Sequence, residues 1–377
     1  MTRARSLLIS CAGLALAVVA GTTMASASAG SAPSVLVDGL DGPRGLDVSA
    51  RGHAVVAEAD GTISRIYRHG HKAGTAKQIG KVPAEFVAPS VALGRHGKVW
   101  VLTVGGEQSS SASLFLLTPG EGRTKVKDIA KWSSQNWDPF DIENDPVNDL
   151  PNPYNVAAGP WGSALVADAA NNAVVQVWPN GKARLVARVK PRVVDIPEPL
   201  QEEGGPTETP AEAVTTSVAM GADGSVYIGE LRGYPATPGT SQIWRVAPGK
   251  TGVICDPARP YKGACTRFAD GLTSVISVDT GRAGSVYAAE LSKQSWLAIE
   301  SDPPIPGSEV GSVYRFSGHK GKYRTELSPG EVILPGAVAA GWHGKAWVSG
   351  PIFGPPGSGS VYRVTGSACA SSAAASC

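Results

Sequence analysis

The 377-residue chain carries 34 Lys and Arg against 32 Asp and Glu, a formal net charge of +2. A balance this close to neutral argues against nucleic acid or an anionic membrane surface as the main partner. With 46 Gly and 29 Pro and almost no helix-period patterning, the composition suits a fold of many tight turns.

Residues 1–29 begin with Arg3 and Arg5, continue through an apolar run from Leu7 to Gly21, and end in the small residues Ala25–Ala29. This is the layout of a secretory signal peptide, and an apolar run of about 15 residues is shorter than the roughly 20 needed to span a bilayer. The expectation is a secreted, extracellular protein with no membrane attachment after cleavage near Ala29. Loss of Arg3 and Arg5 from the 34 basic residues leaves 32 against 32 acidic ones.

From there one segment recurs six times. It reads GHAVVAEA from Gly52, GKVWVLTV from Gly97, GSALVADA from Gly162, GSVYIGEL from Gly224, GSVYAAEL from Gly284 and GKAWVSGP from Gly344. A short apolar strand precedes each copy, at 45–49, 90–94, 155–159, 217–221, 274–278 and 337–341. A third strand follows each, and a fourth lies between units. Four strands per unit, in antiparallel up-and-down order, is the pattern of a propeller blade, because units this small must bury their faces against neighbours. The sixth unit ends near Thr365 with only three strands, while VLVDGL at 35–40 is an orphan. Pairing the orphan with the last unit closes the ring and removes a sheet edge. The predicted fold is therefore an all-β, six-bladed β-propeller over 30–365, closed by its N-terminal strand in the last blade, with a flexible tail at 366–377.

Two insertions interrupt the repeats. Residues 132–154 mix acids with Trp132, Trp137 and Phe140, and residues 190–213 are rich in Pro and Glu. Long loops on a rigid ring are where specificity resides. In the first, Asp141, Glu143, Asn144, Asp145 and Asp149 have calcium-ligand chemistry but not the order of a helix-flanked calcium loop. Four cysteines follow the leader, an even number that suits disulfides in an exported chain. Cys255 and Cys265 bracket a Pro- and Gly-bearing loop, and Cys369 and Cys377 stand in the Ser/Ala tail.

Aligning the six copies separates packing from chemistry. Three positions after the turn glycine stand Val55, Trp100, Leu165, Tyr227, Tyr287 and Trp347; two further on stand Ala57, Leu102, Ala167, Gly229, Ala289 and Ser349. Large then small on one face is tapered packing between blades. The next position holds Glu58, Thr103, Asp168, Glu230, Glu290 and Gly350. Four carboxylates at equivalent height either surround a ligand or metal, or accept backbone N–H groups and tie blades together; the tie is the preferred reading. Like charges held close would raise one another's pKa. On the segments leading into the innermost strands, Arg44 and Tyr154 are the residues best suited to gripping a ligand.

The strings NPYNVAAGPWGSALVADAANN, TTSVAMGADGSVYIGELRGYPATPG and DGLDGPRGLDV resemble characteristic segments of the ScyD/ScyE family, secreted bacterial proteins related to NHL-type six-bladed propellers. The resemblance runs from about Val35 to Val364, and Gly229–Gly239 is its most specific part. His53, His96 and His343 occupy turns where that family shows a Pro-Asp-Gly-like sequence, and Gly350 breaks the acidic column. No agreed catalytic residues come with it.

Enzyme chemistry has little local support. No Gly-x-Ser-x-Gly elbow and no His-Glu-x-x-His occur, and all six histidines, at 53, 69, 71, 96, 319 and 343, fall in or beside turns. The expected function is a monomeric binding or scaffold module for a small molecule or protein. The alternative is a metal-dependent, lactonase-like hydrolase or lyase. In it Glu58, Asp168, Glu230 and Glu290 hold an ion, and an all-oxygen set suits Ca or Mg.

Overall fold

The computed structural model describes residues 32–49, 52–85, 87–104, 112–142, 151–281, 284–341 and 345–366. The expected leader at 1–29, and Cys369 and Cys377, lie outside the described residues. Among the described residues no helix is long and apolar enough to cross a membrane.

Six antiparallel sheets follow one another, and each begins with one of the short apolar strands read from the sequence. The innermost strands are Gly45–Val48, Ser90–Leu93, Pro153–Ala158, Thr215–Met220, Val275–Thr280 and Ala337–Ala340. Blade 5 shows the common order, with Val275–Thr280, Val286–Glu290, Ser312–Ser317 and Tyr323–Leu327 hydrogen-bonded in sequence. The recurring turn glycine has a physical reason: Gly52, Gly97, Gly162, Gly224 and Gly284 all have φ between 74° and 82°, the left-handed region that a Cβ disfavours.

Ring closure is as expected. Ser34–Leu40 is the outer strand of blade 6, antiparallel to Gly359–Val364, with Val35 opposite Tyr362 and Leu40 opposite Gly359. The strand that begins the ring thus finishes it.

The apolar cores lie between blades. Val55, Ala57 and Ile63 of blade 1 meet Val91, Val99 and Val101 of blade 2, and Leu165 and Ala167 of blade 3 meet Val218 and Ile228 of blade 4. Fully burying a side chain of this size is worth about 1.5–3 kcal/mol, so each blade is stabilised chiefly by its neighbours. The small column has a steric cause: a Cβ on Gly229 would stand 2.9 Å from Val275 Cγ1 of blade 5.

Polar side chains then stitch the inner strands together around the ring. Asp47 Oδ2 accepts Leu93 N–H at 2.6 Å, Ser90 Oγ accepts Val156 N–H at 3.1 Å, and Asn155 Oδ1 accepts Val218 N–H at 3.1 Å. Thr216 Oγ1 donates to Val275 O at 2.6 Å, Ser277 Oγ accepts Val338 N–H at 3.2 Å, and Ser349 Oγ donates to Arg44 O at 3.0 Å. Every blade boundary is crossed.

Two additions depart from the plain repeat. Val253–Cys255 adds a fifth strand to blade 3, parallel to Ala183–Val189, and Cys255 is bonded to Cys265 at the start of blade 4's outer strand, Cys265–Leu272. The expected local bridge therefore joins two blades. The 190–213 insertion forms a hairpin of Arg192–Asp195 with Glu208–Ala211.

Candidate functional site: an axial cavity opposite a plugged mouth

The ring has two mouths, and the one at the N-terminal ends of the inner strands is closed from within. Arg44 is buried there, with Nε donating to Ala88 O at 2.7 Å and Nη1 to Tyr154 O at 2.6 Å. Its guanidinium lies 4.2 Å from the centre of the Tyr154 ring. That ring belongs to an apolar cluster with Leu231, Ile276, Leu334 and Ile352 of blades 4, 5 and 6. Arg44 and Tyr154, the pair expected to grip a ligand, thus come together and hold each other.

The four carboxylates of the repeated column do not converge. Glu58 accepts Asp41 N–H at 3.1 Å, just beyond the closing strand, and Glu290 accepts Thr273 N–H at 2.7 Å and Ser312 Oγ at 2.5 Å. Those two act through backbone N–H groups. Asp168 accepts from Ser133 Oγ and from Asn171 Nδ2, and Glu230 from Arg232 and the Trp244 indole. Burial is the first cause of the raised pKa of all four, and none of them raises another. Mutual repulsion is absent because each side chain turns to its own partners, as the preferred reading of ties between blades has it for Glu58 and Glu290. Among the described residues no group of three or more His, Cys, Asp or Glu is placed to hold a metal ion. This arrangement does not fit a Ca or Mg site on that column. In the 132–154 insertion only Asp141 of the calcium-type acids is described.

Gly229–Gly239, the stretch on which the sequence resemblance rests most, holds a buried ion pair. Arg232 pairs with Glu230 in the interior, donates through Nη1 to Ala211 O at 3.1 Å and Glu212 O at 3.2 Å, and its own carbonyl accepts from Trp296 Nε1 at 2.8 Å. The pair locks the hairpin onto the ring.

Open space lies on the axis toward the other mouth. A cavity of about 520 Å³ is lined by the C-terminal halves of the inner strands. Leu46, Val91, Val156, Val218, Val278 and Val338, one from each blade, line it as an aliphatic ring. Asp47, Asp279, Tyr287 and Arg315 are its titratable groups. Burial pushes Asp47 up to about 6 despite its bond from Leu93 N–H. Asp279 is pushed up to about 7 by burial first and by the charge of Asp47 second, while Ala340 N–H at 2.6 Å opposes the rise. Asp47 and Asp279 are thus a like-charged pair of the kind the repeated column does not contain.

Sequence reasoning passed over these two aspartates, although a signal was present. At one shared register position of the six inner strands stand Asp47, Ala92, Ala157, Ala219, Asp279 and Ala339, facing Val55, Trp100, Leu165, Tyr227, Tyr287 and Trp347 respectively. Two acids among four alanines mark an unusual pair. Blade 5 continues the row outward, with Asp279 opposite Tyr287 and Tyr287 opposite Arg315. On the same side of the ring, Trp161 is 74% exposed in a turn with φ 55°, three residues beyond Ala158 of the cavity wall. The described histidine side chains, at 53, 69, 71 and 96, are exposed.

No family model matches the chain, and no curated protein matches it in sequence. Solved structures match it in shape. The PQQ-bound aldose sugar dehydrogenase of Streptomyces coelicolor superposes with a TM-score of 0.54 at 14% identity, over 90% of this chain and 99% of that one. A gluconolactonase of Xanthomonas campestris gives 0.51 at 9% identity, over 88% and 94%. The chain is a six-bladed β-propeller of small antiparallel sheets, four strands to a blade with a fifth, parallel strand added to blade 3.

Proposed function

We propose that this chain is an exported, monomeric binding protein of the ScyD/ScyE type, whose ligand is a small molecule held in the axial cavity. The observation that carries this reading is the cavity itself. Six aliphatic side chains supply an apolar wall, and Asp47, Asp279, Tyr287 and Arg315 supply a few oriented polar groups, the usual make-up of a small-molecule site. The near-neutral charge makes nucleic acid a poor partner.

A thermal-shift screen of sugars, sugar lactones and small organic acids tests it, run in parallel on the wild type and on Val218→Trp, which sets a bulky ring in the cavity wall and whose own cooperative melting establishes that it folds. Ligands that raise the melting temperature of the wild type alone support the reading. It fails if no compound shifts the wild type, or if the shifts persist in the filled variant.

Lactonase-like hydrolysis or elimination is the second reading, favoured by the proton affinities of Asp47 and Asp279, which lie near neutrality in one cavity. Two propellers of this shape are named as an aldose sugar dehydrogenase and a gluconolactonase. In this reading one carboxylate takes a proton from water while the other gives one to the leaving oxygen. No step passes through a metal, because the column carboxylates do not assemble one. Hydrolysis of glucono-δ-lactone that survives chelator and is lost in Asp279→Asn supports it; no rate above the uncatalysed one refutes it.

A further inference from the structure

We propose that Arg315 is the anion-recognising residue of the axial cavity, and that the ligand class is a small organic carboxylate with an apolar body. The inference rests on the cavity as binding site and names what it takes.

Arg315 lies on the third strand of blade 5, half-buried, with its side chain in the cavity wall. Its Nε is enclosed and has no acceptor. Among the described residues no carboxylate lies within ion-pair distance of its guanidinium. The corresponding arginine of blade 4 differs: Arg245, opposite Tyr227 as Arg315 is opposite Tyr287, donates to Asp223 at 2.8 Å. A half-buried guanidinium without an anion is costly, and a carboxylate satisfies its planar fork with two parallel bonds.

The rest of the wall fixes the other end of the ligand. Leu46, Val91, Val156, Val218, Val278 and Val338 surround the axis and suit an alkyl or aryl body. Asp279 and Asp47 share the cavity with Arg315, and their raised proton affinities make them donors rather than repelling charges in mildly acidic solution. Tyr287, between Asp279 and Arg315 in the row, offers a hydroxyl to the same head group.

Calorimetry with acids and their amides tests this. The probes are 4-hydroxyphenylacetate, lactate and gluconate, each compared with its neutral amide at pH 5.5 and pH 8. The expected result is that at least one acid binds tenfold or more tightly than its amide. That preference should vanish in Arg315→Gln, return in part in Arg315→Lys, and weaken at pH 8 as the aspartates ionise. Melting curves of both variants establish that they fold. Equal binding of acid and amide, or a preference unchanged in Arg315→Gln, overturns the inference while leaving the cavity as a binding site. Absence of binding by every acid and amide, or binding that persists in Val218→Trp, overturns both.

Discussion

Asp47 and Asp279 stand at the same register position of blades 1 and 5, and each accepts the inner-strand N–H of the following blade, Leu93 and Ala340, at 2.6 Å. The same two side chains stitch the ring and line its cavity. One consequence is a pH dependence with a definite sign. Both groups are carboxyls whose folded pKa lies above the ordinary 3.8 of an aspartate, at about 6 and about 7. From about pH 4 to about pH 7 these two groups therefore bind more protons in the folded state than in the unfolded one, and the stability they contribute is full below about pH 4 and lost as pH rises to about 7. Glu212, pushed up to about 7 chiefly by burial, adds a loss of the same sign. Denaturant titrations from pH 4 to 8 should show this fall. Asp279→Asn should flatten it and gain about 2–4 kcal/mol at pH 8, and an unchanged slope would rule out the coupled pair.

The plugged mouth gives a second expectation. Arg44→Ala removes two bonds to carbonyls of blades 2 and 3 and the guanidinium against the Tyr154 ring. A loss of about 2–4 kcal/mol should follow. Lysine cannot reproduce the fork, so Arg44→Lys should recover little. Ligand binding at the far mouth should persist in both variants, as calorimetry can show.

Glu230 and Arg232 form an ion pair in the interior. Removing one partner leaves the other charge buried, at a cost of about 3–5 kcal/mol. Glu230→Gln should therefore lower the melting temperature more than Glu58→Gln, whose carboxylate is half-exposed and accepts one backbone N–H. Comparable losses would mean that Arg232 finds other acceptors.

The Cys255–Cys265 bond joins blade 3 to blade 4 across a ten-residue separation. Its replacement by serines should cost about 3 kcal/mol. Amide exchange should quicken first at Val253–Cys255, the added edge strand, with little change at Val275–Thr280 in the adjoining blade.

How much was visible in the residues alone varies with the physics involved. The repeat was legible because every blade needs the same turn glycine and the same large–small alternation, and these recur at equivalent positions. Closure was legible because Val35–Leu40 had no partner nearer than Ser360–Thr365. The strand Val253–Cys255 was not, since a three-residue parallel strand has no periodicity of its own and owes its place to Cys265 and blade 3. Glu58, Asp168, Glu230 and Glu290 were found as a column, yet their directions depend on Asp41, Ser133, Arg232 and Thr273, which lie far apart in pattern if not always in sequence. Asp47 and Asp279 sit inside apolar strands, where a lone acid in GLDV or ISVDT reads as a strand end rather than as the wall of a cavity.

Pairing of Ser34 with Arg363 places the first and last strands of the propeller side by side with their free ends adjacent. A short Gly/Ser bridge between those ends, with the chain reopened at a turn in another blade, should give a circularly permuted protein with the same six sheets. Such a permutant would move the ring's seam to a boundary of choice, and two labels placed at Ser34 and Arg363 would report from one spot on the rim.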